Sequence, residues 1–429
     1  MKNLGAIWSR FIKEVKIRPW FVPLAYAIAA LLFGFSVPRL VVSELPDWVS
    51  TISVNAAIGF YSSVASGMIA LTGIVFSLTF VMVQFSATAY SPRLVLWISR
   101  DPVISHSVGV FTATFLYALV ALAWVDRSGS GRVPFVGVGV TAVLLVLSII
   151  MFISLIQRVS MLQVTRMLIF TGDQGREVIE KLYPPLDTPA TPYSPELLTE
   201  ACVQTLVHHG HPMAIQTVDI PALMHAATEA ACVIEMTVSV GEVVLDSTPM
   251  LRVLGGTGPI PEKTLRSAIE LGAERTFDQD PKYAIRLLVD IAIRALSPAV
   301  NDPTTAVQAL NQIEDLLLRL GRRRLEVGTY REPAGKLKFL LRYPSWEDFL
   351  RLAFNEIRFY GASSVQVMRR MKALMTELLR ALPDERSPAL RYWQARLQST
   401  VEQTFRDKED ILDASDEDRQ GLGSSRRPV

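Results

Sequence analysis

The stretch Ala56–Gln84, AAIGFYSSVASGMIALTGIVFSLTFVMVQ, decides how the chain is read. It is uncharged and longer than the roughly 20 residues a helix needs to cross a bilayer. It is not uniformly bulky. Gly59, Ser63, Ser66, Ala70, Gly73 and Ser77 recur at steps of three or four, and Gln84 follows two helical turns later. On a helix they form one narrow face of small, weakly polar side chains, with Ile69, Ile74, Phe76 and Phe80 elsewhere around it. Small residues let membrane helices approach closely, and hydroxyls can bond between helices. The same face can line a lumen when several copies surround an axis, with serine and backbone offering weak ligands to ions. A groove for lipid or another ligand is a third reading.

Three further apolar stretches, Trp20–Val42, Val108–Val125 and Pro134–Val159, flank this one. The expectation is a four-helix transmembrane domain over residues 19–160. No span carries a central Asp, Glu, Lys, Arg or His, which weighs against a proton- or sodium-coupled carrier. Ahead of the first span, Ile7, Trp8, Phe11, Ile12 and Val15 share a helical face among Lys2, Arg10, Lys13, Lys16 and Arg18. Residues 1–18 therefore read as an amphipathic helix on the membrane surface. The positive-inside rule puts that segment in the cytoplasm, together with Arg93 and Arg100 and, after the last span, Arg158 and Arg166. Four spans then place both termini and the soluble domain on the cytoplasmic side.

Of 429 residues, 50% are hydrophobic and 20% charged, and most of the charge follows residue 160. A net charge of +2, with no zinc-finger spacing and no basic stripe interleaved with aromatics, argues against nucleic acid as a partner. Two cysteines, Cys202 and Cys232, make no disulfide scaffold and suit a reducing compartment.

A helix and a Pro-rich linker occupy residues 161–198, where PPLDTPATPYSPELL breaks the helical pattern. A β-rich subdomain is expected over 199–260. Its VSVGEVVLDSTPMLRV segment resembles the small barrels of lipoyl and biotinyl carrier domains, without a modifiable lysine at the corresponding turn. A mainly helical subdomain over 261–405 and a disordered tail over 406–429 complete the chain. The fold class expected is thus a four-span α-helical membrane protein followed by a mixed α+β cytoplasmic domain with a small β-barrel-like unit.

Two groups of residues could carry chemistry. His208, His209 and His211 are closely spaced, as in some metal sites, but no cysteine lies beside them. The alternative is a helix over Leu198–His209 ending at Gly210, with the histidines at its negative end. The segment from Ser267 to Arg324 is denser in polar residues. Glu274, Arg275, Asp278, Asp280, Asp290, Arg294, Asn301 and Asp302 exceed what helix capping requires. Asp290 and Arg294 stand four apart, and Asp302 precedes Pro303 as an N-cap should. The group reads either as a structural lock or as a site for a metal, phosphate or small metabolite. No nucleophile and base are paired in it, so no catalytic residue is assigned.

The segments RTFDQDP, Arg275–Pro281, and ALSPAVNDPTTA, Ala295–Ala306, resemble the bacterial predicted membrane proteins grouped as the family of unknown function DUF2254. The second span through SPRLV and the VSVGEVVLDSTPMLRV segment share that resemblance. It departs at Ala299, where the family pattern has Gly. The resemblance implies an inner-membrane protein with a cytoplasmic domain and points to no particular activity, and the cofactor is unknown.

The leading functional expectation is an oligomeric membrane pore or ion channel whose cytoplasmic domain gates it or answers a ligand. The alternatives are a membrane-anchored sensor or scaffold without a pore, and a membrane-associated enzyme. Expected partners are further copies of the chain, membrane lipid, and ions or a small ligand.

Overall fold

A computed structural model of the chain describes residues 21–44, 51–89, 102–125, 132–160, 164–188, 200–419 and 421. The amphipathic segment 1–18, the basic loop at Arg93 and Arg100, most of the Pro-rich linker and the extreme C-terminus lie outside them. The chain divides into two compact units, Met1–Gln163 and Val164–Val429.

The first unit contains helices α1 (Phe21–Glu44), α2 (Val54–Ala89), α3 (Pro102–Ala123) and α4 (Phe135–Ser160). Short strands β1 (Thr51–Ser53) and β2 (Arg132–Pro134) pair antiparallel at the starts of α2 and α4. The α3 helix is central: Phe111, Tyr117 and Ala118 are buried in a core shared with Tyr61, Met68 and Leu155. Without a strong hydrophobic drive between helices in lipid, small residues and hydroxyls do the joining. A Cβ at Gly109 would strike the Tyr26 ring, so these helices meet at glycine. The Thr114 and Ser148 hydroxyls lie 2.9 Å apart between α3 and α4.

The expected span count is corrected here. Among the described residues only Val54–Val81, Pro102–Ala123 and Phe135–Gln157 are long and apolar enough to cross a membrane. The described apolar stretch of α1, Phe21–Ser36, falls short. Arg39 and Glu44 follow it in sequence, which limits how far its apolar character runs. The even count that placed both chain ends on one side falls with the fourth span.

The second unit begins with α5 (Val164–Leu182). Strand β3 (Cys202–Val207), β4 (Met213–Val218), α6 (Ile220–Glu229), β5 (Val233–Met236), β6 (Val243–Val244), β7 (Pro249–Leu254), α7 (Glu262–Ser267) and β8 (Ile269–Gly272) follow. Next come α8 (Pro281–Ala295), α9 (Pro303–Gly321), β9 (Thr329–Arg331), β10 (Leu337–Leu340), α10 (Trp346–Tyr360), α11 (Val365–Ala381), α12 (Ser387–Thr404) and α13 (Lys408–Ala414).

The expected barrel does not form. One open sheet has the order β3-β7-β5-β10-β9 and the other β6-β4-β8. The Gly241 turn leads from β5 in one sheet to β6 in the other, so the segment that resembles a carrier barrel is divided between two sheets. Strand β10 joins β5 in parallel, and the β layer therefore draws residues from well beyond 260. Leu206, Ile215, Ile234, Val253 and Phe339 are all buried in one core.

Helices α5, α8 and α9 pack on one another through Gly175, where a Cβ would come within 2.9 Å of both Leu316 and Ala284. The region expected to be a disordered tail from 406 instead carries α13, held to α11 by Arg369, which donates to the Asp413 carbonyl. Arg369 also pairs with the Asp413 carboxylate at 3.3 Å, and such polar docking leaves no apolar pattern in the sequence.

Candidate functional site

In the first unit, Gly59, Ser63, Ser66, Ala70, Gly73, Ser77 and Gln84 are all exposed. The residues that α2 buries are Ala57, Tyr61, Val64, Ala65, Met68 and Val75. At about 100° per residue the two rows lie on opposite sides of the helix. The small row is flanked by exposed bulk, with Ile58, Ile69, Phe76 and Phe80 on one side and Ile74 and Val81 on the other. It is a shallow groove facing away from the packing of the first unit. A Cβ at Gly59 or Gly73 would meet nothing within 4 Å. The Thr72 and Thr79 hydroxyls donate to the Met68 and Val75 carbonyls one turn back. Those of Ser63, Ser66 and Ser77 make no hydrogen bond among the described residues.

In the second unit, the segment Arg275–Pro281 leads into α8, and most of its residues have identifiable work. Phe277 is buried against Tyr283, 4.9 Å between ring centres. The Gln279 amide clamps Val218 of β4, accepting from its N–H at 2.9 Å and donating to its carbonyl at 3.2 Å. Pro281 takes the first helical turn, where its missing N–H costs nothing. Asp280 stands at the N-cap of α8 but makes no capping bond with its side chain. The carboxylate instead accepts from Arg275 Nε at 2.6 Å through Oδ2, and Arg275 Nη2 completes the ion pair.

That carboxylate is 2% exposed. Gly241 comes so close that a Cβ there would collide with Asp280 Oδ2, and its φ of +84° also favours glycine. The Arg275 guanidinium lies over the Tyr283 ring, 5.5 Å from its centre. Burial, opposed by Arg275, holds Asp280 above the ordinary carboxylate range. Asp280 Oδ1 and the Thr276 hydroxyl are buried without a hydrogen-bond partner, and so is the Tyr183 hydroxyl. Burial and the Asp280 charge push Tyr183 well above its ordinary value. Tyr183 in turn meets the Tyr343 ring edge-on at 6.1 Å, and the Tyr343 and Tyr330 hydroxyls are 3.1 Å apart. Unpaired buried polar atoms are costly, and Asp280 and Tyr183 leave two of them within electrostatic reach of each other.

The other singled-out polar residues lie apart from this cluster. Glu274 and Asp278 are exposed, and the Glu274 carbonyl accepts from Gln216 at 2.7 Å. Asp290 pairs with Arg286, whose guanidinium also donates to Glu356 at 2.7 Å. Arg294, expected opposite Asp290, has a buried Nε without a hydrogen-bond partner. Asn301 adopts φ +47°, and Asp302 caps α9 by accepting from Thr305 N–H at 3.1 Å.

Sequence reasoning missed Arg286 and Glu356. Arg286 was readable as the residue four before Asp290, whereas Glu356 is brought in by tertiary packing alone.

The histidines do not converge. His208 follows β3 rather than ending a helix, and its buried ring Nε2 lies 2.8 Å from the His211 carbonyl. His209 faces Asp246 at 3.7 Å on the surface. The alternating β-branched character of CVQTLV decides for a strand there. Among the described residues no three His, Cys, Asp or Glu side chains are placed to hold a metal.

Comparison with known proteins places this geometry. An uncharacterized protein of Mycobacterium bovis is 30% identical over 369 residues, covering 81% of this chain and 68% of its own. Uncharacterized proteins of two Mycobacterium tuberculosis strains match over the same share at 30% identity. No solved structure matches. The family model described as predicted membrane protein matches residues 17–377, a span that takes in the apolar helices, the Gly241 turn and the Arg275–Pro281 segment, and the chain belongs to that family, DUF2254.

Proposed function

We propose that the chain is one subunit of an oligomeric pore in the bacterial inner membrane, with its second unit on the cytoplasmic side as a gating or ligand-responsive domain. The observation that carries this reading is the exposed groove on α2. A helix surrounded only by lipid gains from bulky aliphatic side chains, which the flanks of α2 have and the row from Gly59 to Ser77 lacks. Small side chains and serine hydroxyls without partners in the subunit favour either another helix or water at that face. Basic residues after the last span, Arg158 and Arg166, support the cytoplasmic placement of the second unit.

The test is ion flux through liposomes containing the purified protein, with oligomer size measured on the same sample. Gly73→Leu is the informative variant, because the position is open within the subunit and the substitution disturbs none of its packing. Flux from a defined oligomer, reduced by Gly73→Leu with the oligomer intact, is the expected result. A silent wild-type oligomer that dissociates on Gly73→Leu sinks the pore. It would leave a membrane-anchored sensor or scaffold assembled through α2, a reading favoured independently by the buried polar cluster at Asp280.

A further inference from the structure

Helices α10 and α12 leave an open cleft of about 420 Å³ between them, within the size range of small-ligand sites. Glu347, Arg351 and Asn355 line it from α10 at four-residue spacing, and Tyr392, Trp393 and Arg396 line it from α12. The arginines of this cleft differ from five others in the unit. Arg275, Arg286, Arg319, Arg370 and Arg386 each have a carboxylate partner. Arg351 and Arg396 have none among the described residues, although Glu347 is four residues from Arg351.

One turn beyond Asn355, Arg358 lies outside the lining but within electrostatic reach of Arg396. It donates to the neutral oxygens of Thr400 and Asn355, and its buried Nε has no partner. Burial, reinforced by the like charge of Arg396, lowers it from the ordinary guanidinium value. Glu347 is the one acid lining the cleft and is ion-paired with neither arginine, so the cations outnumber it and an anionic guest relieves their repulsion. Arginine offers the donor fork that matches a phosphate.

The aromatic wall narrows the ligand further. The Arg396 guanidinium lies 5.9 Å from the centre of the Tyr392 ring and 5.4 Å from that of Trp393. Tyr392 is 58% exposed, so it leaves ring surface for a planar guest. A flat group can stack there while its phosphate reaches Arg351 and Arg396, and Glu347 can accept from an amine or sugar hydroxyl. We propose that the cleft between α10 and α12 binds a nucleoside phosphate, its phosphate on Arg351 and Arg396 and its base on Tyr392. This site is separate from the α2 groove, so nucleotide binding and pore formation stand or fall independently.

The test is calorimetric titration of the full chain, in detergent and in nanodiscs, with AMP and with inorganic phosphate. One AMP per chain is expected. Arg351→Gln and Arg396→Gln should each weaken it about tenfold, the effect of one charge-assisted hydrogen bond. Tyr392→Ala should weaken AMP while leaving phosphate affinity within about twofold, since only the base loses a contact. Glu347→Gln should tighten inorganic phosphate, which has no group to donate to Glu347 beyond its own acidic protons, by removing the anion at the rim, a gain that an unfolded variant cannot mimic. Absence of AMP binding by cooperatively melting wild-type protein would overturn the proposal, and so would affinity unchanged in both arginine variants. AMP binding in neutral-lipid nanodiscs that vanishes in phosphatidylglycerol nanodiscs would assign the cleft to a lipid headgroup, again overturning the nucleotide.

Discussion

Asp280 accepts from Arg275 through one oxygen and leaves the other buried and unpaired. A pair so placed is costly to break and of little net value intact, because desolvation offsets much of the attraction. Asp280→Ala, which strands Arg275, should destabilise the second unit by about 3 kcal/mol. The double variant Arg275→Met/Asp280→Leu should recover a large part of that loss in thermal or chemical denaturation. The pH dependence has an unusual sign. Since the folded pKa is raised above the ordinary 3.8, folding favours the protonated acid. The contribution of Asp280 is therefore fully present below 3.8 and is lost as pH rises through the raised value. Wild-type stability relative to Asp280→Asn should grow as pH falls through that window. Melting temperatures of the two proteins across the window check it, and a difference that shrinks on acidification would contradict the placement of Asp280. Glu356 behaves oppositely: Arg286 lowers its pKa, so its contribution is lost as pH falls.

At the scale of elements, glycines that look alike in sequence differ in what surrounds them. Gly175 of α5 is enclosed by Leu316 and Ala284, whereas Gly73 of α2 faces open space. Gly175→Val should cost about 1–3 kcal/mol through overpacking between α5, α8 and α9, measured as a lowered melting temperature. Gly73→Leu should leave the melting of the monomeric chain unchanged. The same contrast shows what the sequence could disclose. The α2 stripe was legible because helical periodicity is local, and so was the Asp302 cap, three residues from its Thr305 partner. Glu356 reaches Arg286 across 70 residues, and the cleft joins α10 to α12, so neither leaves a local pattern. The barrel expectation erred for a related reason: strand identity is written in nearby residues, but strand partners are not. Arg275 and Asp280 were both picked out as polar, yet nothing in their spacing announces that one of them is buried.

For the whole molecule, the proposed cytoplasmic placement of the second unit can be checked with its two cysteines. Cys202 is exposed, while Cys232 is buried and its thiol pushed up by that burial. Only Cys202 should react readily with a membrane-impermeant maleimide, and only in inside-out vesicles rather than in intact spheroplasts. Labelling of Cys202 in spheroplasts would reverse the orientation.

The parallel pairing of β10 with β5 also bears on how the chain is made. The apolar helices leave the ribosome first and can enter the bilayer at once. Strands β3, β5 and β7 emerge next, but β5 keeps one edge open until Leu337–Leu340 have been translated. At ordinary elongation rates that delay is on the order of seconds. During it a newborn chain already tethered to the membrane carries an unpaired strand edge beside other chains from the same message. Slow codons or stalling between 254 and 337 should therefore promote aggregation at the membrane, whereas the same pause after 340 should be harmless.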